Sequence, residues 1–143
     1  MLMVADLLNH KGPDVWSLAP DATVYMAIEL MARKGIGALL VMEGEHLVGI
    51  LSERDYARKV ILKGKSSREV RVREIMSQPV ICARPDQTIE ETMTVMTKNH
   101  IRHLPVKSEE KVVGVISIGD VVRGIIEDKD FHIQQLTKYI SSG

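Results

Sequence analysis

The sequence predicts an α/β fold in which one small unit of helices and strands is built twice. Residues 20–61 align with residues 85–126 at a constant offset of 65 positions and without a gap. Apolar residues in each copy recur first at helical spacing and then in short runs typical of strands. Charges are balanced, with 19 Lys and Arg against 19 Asp and Glu, and there is one cysteine. These numbers exclude a strongly basic nucleic-acid surface and an internal disulfide framework.

The two copies share residues as well as pattern. Identical pairs are Pro20/Pro85, Asp21/Asp86, Thr23/Thr88, Met31/Met96, Ile36/Ile101, Leu39/Leu104, Val41/Val106, Val48/Val113, Gly49/Gly114, Ser52/Ser117, Asp55/Asp120 and Arg58/Arg123. The segment VADLL (4–8) also matches VREIM (72–76) once a three-residue insertion around KGP is allowed. Each unit therefore has about 60 residues, which buries too little surface to be secure alone. We expect the two units to pack on each other.

The first helix of each copy follows a Pro-Asp turn and carries one apolar face. That face is Val24, Ala27, Ile28 and Met31 in the first copy and Ile89, Thr92, Met93 and Met96 in the second. Gly35 marks the expected end of the first helix. Two adjacent strands follow in each copy, ALLVME and LVGIL or HLPVKS and VVGVI, separated by a polar turn. A second helix then begins in ERDYARKVIL or IGDVVRGIIE.

These elements suggest a division of the chain. We expect a lead-in helix over 1–9, a first repeat over 10–64, a linker over 63–75, a second repeat over 76–127 and a C-terminal helical tail over 128–143. The charged, Gly/Ser-containing stretch KGKSSREVR indicates the linker. The tail places Phe131, Leu136 and Ile140 near one helical face. Two interpretations of this face remain open, a clasp on a second subunit and a cap on the core.

A Ser-x-x-Asp motif stands at the start of each second helix, as Ser52 to Asp55 and Ser117 to Asp120. Its structural interpretation is a capping box, in which Ser and the acidic residue satisfy backbone amides at the helix N-terminus. Its functional interpretation uses the same place, since unpaired amides at a helix N-terminus attract phosphate. An acidic side chain there can accept hydrogen bonds from both hydroxyls of a ribose. The two interpretations are compatible, because a ligand can displace a cap.

The duplicated pattern Gly-apolar-x-Ser-x-x-Asp, at 49–55 and 114–120, together with IRHLPV at 101–106, resembles the tandem cystathionine-beta-synthase (CBS) domain pair, or Bateman module. The resemblance runs from VADLL to about residue 127 and suggests a stand-alone CBS-domain protein. It implies two pseudo-twofold-related β-α-β-β-α repeats whose small sheets pack face to face. It also implies two clefts for adenosine-containing ligands, and hence a regulatory binding module with no catalytic cofactor.

The resemblance further implies roles for individual residues. Asp55 and Asp120 would bind ribose in the first and second cleft, and Ser52 and Ser117 would meet phosphate. Further phosphate candidates are Arg54, Arg102 and His103, and the adenine would lie against Trp16, Ser17 and Leu18 in the first cleft and Val80, Ile81 and Cys82 in the second. Arg58, Arg123 and Gly119 are additional candidates for ligand contact. Because only the first cleft has an arginine inside its motif, we expect it to prefer the more phosphorylated ligand.

Three hypotheses about function follow. The first is a homodimer that senses AMP, ATP or NAD and passes occupancy to an unknown regulated protein. The second is a structural dimerisation module without a physiological ligand, and the third is an S-adenosylmethionine binder. The five histidines lack metal-ligand spacing, and no nucleophile triad or Walker loop is evident, so we expect neither a metal nor an enzyme. We expect no membrane or nucleic-acid partner, and the lone cysteine is typical of a cytoplasmic protein.

Overall fold

The computed structural model describes residues 2–12 and 14–142, with Tyr139 and Ser142 described for their backbone alone. The predicted boundaries at Met1 and Gly143, and Pro13 of the KGP insertion, lie outside the described residues. In chain order the helices are α1 (Val4–Lys11), α2 (Val24–Lys34), α3 (Glu53–Tyr56), α4 (Val72–Ile75), α5 (Ile89–Asn99) and α6 (Ile118–Ser142). The strands are β1 (Ser17–Leu18), β2 (Ala38–Glu43), β3 (His46–Ser52), β4 (His103–Ser108) and β5 (Lys111–Ser117), and a π-helical turn (Ala57–Ile61) follows α3.

The chain divides into two compact units, each with its own sheet and apolar core. Residues 14–81 form one unit, and residues 2–12 with 82–142 form the other. In the first unit, β1 pairs in parallel with β2, and β2 pairs antiparallel with β3. In the second, β4 pairs antiparallel with β5, and Ala83 bridges Val106 in parallel where the first unit has β1. The α/β prediction with two small sheets is confirmed.

The repeat extends to the pairing register of the two hairpins. Ala38 lies opposite Ser52, and His103 lies opposite Ser117. Both hairpins also shift register at the same place, between Val41 and Met42 in one and between Val106 and Lys107 in the other. Each motif serine is thus the last residue of its strand, and the next residue begins a helix.

The first long helix of each unit is capped at both ends. The Thr23 hydroxyl accepts a hydrogen bond from the Met26 amide at 3.2 Å, and Thr88 accepts one from Glu91 at 3.1 Å. The predicted apolar faces are buried at Val24, Ala27 and Met31 in α2 and at Ile89, Thr92 and Met96 in α5. As predicted, α2 ends at Gly35, which has a left-handed conformation with φ 65°. The second copy places His100 in that conformation.

The lead-in segments are exchanged between the two units. Helix α1 belongs to the unit of the second repeat, where Val4 and Leu7 join its core and the Val4 amide donates to the Gln87 carbonyl at 2.9 Å. Helix α4 belongs to the unit of the first repeat, where the Val72 amide donates to the Ala22 carbonyl at 2.8 Å. Sequence order alone does not indicate this exchange.

Helix α6 runs without a break from Ile118 to Ser142 and so includes the predicted C-terminal tail. Val121 and Gly124 near its start are buried, whereas residues 129–138, 140 and 141 are all exposed. The tail therefore does not cap a core. Across the part of the chain that the structure describes, α6 included, no helix is both long and apolar enough to cross a bilayer.

Candidate functional site

The junction between β3 and α3 is a complete capping box. The Ser52 amide donates to Asp55 Oδ2 at 2.9 Å, and the Asp55 amide donates to Ser52 Oγ at 3.2 Å. The serine hydroxyl also donates to the same carboxylate oxygen at 3.1 Å. Both groups that the functional interpretation needs therefore lie at one helix N-terminus, within hydrogen-bonding distance of each other.

The Asp55 carboxylate has two further contacts through its other oxygen. Lys59, one turn later in the chain, places Nζ 3.1 Å from Asp55 Oδ1 and also donates to the Ile75 carbonyl at 2.8 Å. The Ser77 hydroxyl donates to Oδ1 at 3.2 Å. The chain at Ser77 is held there because it forms a two-way backbone bridge with Ile50, with amide-to-carbonyl distances of 2.9 and 3.1 Å.

The junction between β5 and α6 repeats the cap. The Ser117 amide donates to Asp120 Oδ2 at 2.8 Å, and the Asp120 amide donates to Ser117 Oγ at 3.1 Å. The cap itself is thus the same in both copies. The structural interpretation of the motif is correct at both sites, because each serine and each aspartate satisfies amides at the start of a helix.

The Asp120 carboxylate lies between two cations and is the more buried of the pair, with 10% of its side chain exposed against 14% for Asp55. Lys11 Nζ lies 2.7 Å from Oδ2 and also donates to the Val115 carbonyl at 2.8 Å. Arg123 Nη2 lies 2.6 Å from Oδ1. Partial burial acts to raise the pKa of Asp120, but hydrogen bonds from Lys11 and Ser117, with the Lys11 charge, outweigh it and hold that pKa below its usual value.

A pocket opens beside Asp120 between α1 and α6. Its volume is about 470 Å³. It is lined by Leu2, Asp6, Leu7, His10, Lys11, Asp120, Arg123, Gly124 and Glu127. The pocket lies within the range typical of small-molecule sites. Its cations and carboxylates are suited to a ligand that has both hydroxyl groups and an anionic group.

The motif glycines fix how closely each lead-in approaches its strand. A Cβ atom on Gly114 would lie 2.5 Å from Leu8 Cδ2. A Cβ atom on Gly49 would lie 2.5 Å from Met76 Sδ. Leu8 and Met76 are counterparts in the aligned lead-in segments, so the same close approach is made twice. The glycine of the motif therefore positions α1 and α4, which carry or adjoin the groups around each aspartate.

The arginine and histidine candidates do not all lie at the junctions. Arg54 follows Ser52 in α3 and is partly buried, whereas Arg58 is exposed within the π-helical turn. Arg102 is exposed, and its carbonyl accepts the Ile118 amide at 2.8 Å. His103 begins β4, opposite Ser117. The structure thus brings Arg123 and Ser117 to Asp120, and Arg102 reaches that junction through its backbone.

The adenine-lining candidates are divided between the two units. Ser17 and Leu18 form β1 in the unit of Asp55, and Trp16 is exposed there with Lys34 Nζ 4.2 Å from the ring centroid. Val80 and Ile81 also belong to the unit of Asp55, and their expected place in the cleft of Asp120 stays a prediction.

Cys82 begins the part of the chain that does belong with Asp120. Burial raises the pKa of its thiol, and the nearby charge of Lys107 offsets part of that effect. Gly119 lies between Ser117 and Asp120, and a Cβ atom there would be in ordinary van der Waals contact with Arg123 and Ser117, at 3.6 Å from each.

Sequence reasoning missed three groups at the aspartates: Lys11, Lys59 and Ser77. Lys59 could have been found, because it lies four residues after Asp55 within the helix predicted over ERDYARKVIL, and opposite charges at that spacing meet. Lys11 and Ser77 had no such signal, because they reach the aspartates only through the exchange of lead-in segments. Within residues 2–12 and 14–142, no group of three or more His, Cys, Asp or Glu side chains is arranged to hold a metal ion.

Comparison with known proteins assigns the two repeats to a family. The family model for the CBS domain matches residues 4–62 and 72–127. A mitochondrial CBS domain-containing protein from Arabidopsis thaliana, CBSX3, is 37% identical over 150 residues, spanning 98% of this chain and 72% of the relative. A CBS-domain protein from Burkholderia ambifaria MC40-6 is 46% identical with a TM-score of 0.85, covering 88% of this chain and 95% of the other.

A second similar solved structure contains ligands. The CBS domain pair of protein MJ0100, solved in complex with 5-methylthioadenosine and S-adenosyl-L-methionine, is 25% identical with a TM-score of 0.76. The match covers 86% of this chain and 98% of that pair. Two matched repeats, both Ser-x-x-Asp junctions and the same fold in these relatives lead to one conclusion: the chain belongs to the CBS domain family and contains a tandem CBS pair.

Proposed function

We propose that this protein is a regulatory module that binds an adenosine-containing ligand, such as AMP, ATP or NAD, at its Ser-x-x-Asp junctions. The observation that carries the proposal is the paired junction, in which a strand ends at a serine and an aspartate lies one helical turn later. Carboxylate oxygens at such a place can accept hydrogen bonds from vicinal ribose hydroxyls. The ligand-bound CBS pair of MJ0100 supports an adenosine moiety as the recognised part.

The residue roles in this proposal follow the motif. Asp55 and Asp120 bind ribose hydroxyls, and Ser52 and Ser117 donate to phosphate together with amides at the helix N-termini. Arg54, Arg102, His103 and Arg123 supply positive charge for the phosphates. Adenine lies against the segments at 16–18 and 80–82, where backbone groups read its edge. The pocket beside Asp120 supports the second junction as a place where a ligand enters.

Binding would work as a switch because both aspartates already have a cationic partner. A ribose that takes over Asp120 competes with Lys11, and one that takes over Asp55 competes with Lys59. Each lysine also donates a hydrogen bond to a backbone carbonyl, Lys11 to Val115 and Lys59 to Ile75. These two hydrogen bonds hold the lead-in segments on their units. Displacing a lysine therefore loosens a lead-in segment. The ligand can shift the equilibrium between the tight and the loosened conformation only by the difference in its affinity for the two.

Two rival functions have specific support. A structural module without a ligand is favoured by the caps, since Asp55 and Asp120 already stabilise their helices. An S-adenosylmethionine binder is favoured by the bound ligands of the MJ0100 pair. The cations beside Asp120 favour a phosphate over a methionine moiety, whose own ammonium group would meet Lys11 and Arg123.

Titration calorimetry with AMP, ATP, NAD, S-adenosylmethionine and 5-methylthioadenosine tests the proposal. We expect heat with at least one phosphate-containing ligand, and Asp55→Asn and Asp120→Asn should each weaken one binding step at least about tenfold. Glu74→Gln is the matched control, because Glu74 caps α4 in the same way, at 2.6 Å from the Arg71 amide, but lies outside both junctions. No heat with any of the five compounds would favour the structural module and overturn the proposal.

A further inference from the structure

Helix α6 continues well beyond the core that it helps to form. Its first turns are held by the buried residues Val121 and Gly124. From Lys129 onward, every side chain that the structure describes is exposed. An isolated helix of roughly 12–15 residues or fewer is marginal in water, even when its sequence favours helix. This extension therefore needs a surface to cover it.

Five exposed apolar side chains of α6 form a seam along one face, whereas Phe131, which was expected on the face of Leu136 and Ile140, lies outside it. Its members are Val122, Ile126, Ile133, Leu136 and Ile140, whose exposed fractions range from 41% to 76%. Ile126, Ile133 and Ile140 are spaced by seven residues, and Val122 and Leu136 each lie four residues before the next isoleucine. This is the a and d pattern of a heptad repeat, with isoleucine at a. The seam starts within the family domain and continues into the segment after residue 127, where the family match ends.

We propose that the seam is covered by the same seam of a second copy of this chain, in a parallel two-stranded coiled coil. A β-branched residue at a combined with Leu at d favours two parallel strands over trimers or tetramers. Two identical seams also match each other in length and register without any other partner. This proposal concerns assembly and does not depend on ligand binding.

Charge supports the same occupant and orientation. Lys129 is the one charged residue at an a or d position between Val122 and Ile140, and Asp130 follows it at position e, beside the seam. In a parallel pair, a residue at d lies next to position e of the other helix, so each Lys129 ammonium meets Asp130 of the second copy. The two-fold axis makes this contact twice. A single polar layer in an apolar seam is also a known device for fixing register and strand number.

Light scattering after size-exclusion chromatography of the full chain tests the assembly. We expect twice the chain mass of 16.0 kDa for the wild type and for the control Gln135→Asp, which changes an exposed position outside the seam. Ile133→Asp and Ile140→Asp should each give the single-chain mass. Both substitutions lie beyond the core, so unchanged amide hydrogen-exchange protection in β2 to β5 would show that the units remain folded even if the extension loses helix.

Either of two results would overturn the proposal. If the wild type stays monomeric at about 200 μM, the seam is not covered by a second copy but by a different protein or by another part of this chain. A dimer that survives both aspartate substitutions would show that a different surface joins the copies.

Orientation needs a separate experiment. In a Cys82→Ser background, Ile140→Cys should form an intermolecular disulfide under mild oxidation, because a positions face each other in a parallel pair. In an antiparallel pair, position 140 would lie opposite the start of the seam, about 27 Å from its counterpart, and no cross-link would form. Asp130→Lys should weaken the dimer about fivefold or more, whereas Glu127→Lys, at an outer position, should not. Equal effects would remove the Lys129–Asp130 contact from the proposal.

Discussion

The junctions at Asp55 and Asp120 share a helix cap and differ in how the lead-in segment is attached. At Asp55, the backbone of Ser77 pairs with Ile50 of β3. At Asp120, the carbonyl of Val115, the counterpart of Ile50, accepts instead from the Lys11 ammonium. One unit thus uses a backbone bridge where the other uses a charged side chain. A duplicated cap can therefore be kept while the chemistry around its carboxylate diverges.

The lengths of the lead-in helices explain this difference. Helix α1 remains helical to Lys11, which brings that side chain to Asp120. Helix α4 ends at Ile75, and Pro79 soon follows. Because proline lacks the N–H that a longer helix would need, the chain becomes extended and Ser77 reaches β3. A few residues that differ between the two lead-in segments therefore decide that a lysine reaches Asp120 and a serine reaches Asp55.

The largest expected effect is the loss of stability when a motif glycine is replaced by alanine, and this loss should differ between the two glycines. Gly49→Ala should lower the free energy of unfolding by about 2–3 kcal/mol, and Gly114→Ala by about 1–2 kcal/mol. The added Cβ at Gly49 would meet Met76 along its side chain as far as Met76 Cβ at 3.1 Å, whereas at Gly114 only one Leu8 methyl lies closer than 3.4 Å and can rotate away.

Urea denaturation of both variants measures the difference. Combining Gly49→Ala with Met76→Ala should give a total loss smaller than the sum of the two single losses. Additive losses, or a larger cost at Gly114, would contradict the packing described for the lead-in segments.

The two lysines should differ in the same assay by a smaller amount. Lys11→Met should cost about 1–2 kcal/mol, because it leaves the mostly buried Asp120 and the Val115 carbonyl without their shared donor. Lys59→Met should cost about 0.5 kcal/mol, since the Ile50–Ser77 backbone bridge and the Ser77 hydroxyl remain. Equal costs in thermal or urea unfolding would show that the backbone bridge does not compensate.

The contribution of Asp120 to stability should depend on pH, because its pKa is lowered in the folded protein. Since the folded-state pKa lies below the usual value of 3.8, the stabilisation is present above that value and is lost as the pH falls through the folded pKa. Melting temperatures between about pH 6 and pH 2.5 should therefore fall less steeply in Asp120→Asn than in the wild type. Lys11→Met should lie between them, and three parallel curves would argue against the contribution of Lys11.

The smallest expected effect is a gain at the second hairpin turn. Glu109 and Glu110 both have positive φ, at 51° and 70°. Glu110→Gly should stabilise the protein by about 0.5–1 kcal/mol, because glycine adopts this conformation without steric cost. The control is Glu45→Gly, since Glu45 has no positive φ and gains nothing from glycine. A gain of equal size in the control would assign the effect to another cause.

Much of the fold was predictable because its signals are local. The buried faces of α2 and α5, the end of α2 at Gly35 and the hairpins each follow from short-range patterns. The capping boxes were predictable for the same reason. The continuation of α6 into the tail could also have been predicted, because no glycine or proline separates residues 118–127 from the tail, but no signal fixed its end at residue 142.

The surroundings of the aspartates could not be predicted from local patterns. Lys11 lies 109 positions before Asp120, and its approach depends on which unit α1 joins. Two short amphipathic lead-ins with similar sequences fit either unit equally well by pattern. Packing of Leu8 at Gly114 and Met76 at Gly49 decides between them, and that choice becomes visible only in three dimensions.

The exchange of lead-in segments has a consequence for the order in which the molecule forms during synthesis. Residues 14–81 are one continuous stretch, so that unit has all its parts once the ribosome has passed residue 81. The other unit needs residues 2–12, which emerge before that stretch, and residues 82–142, which emerge after it. Helix α1 therefore stays unpacked, with Val4 and Leu7 uncovered, until the second repeat has been synthesised. A segment made before residues 14–81 is thus packed after them.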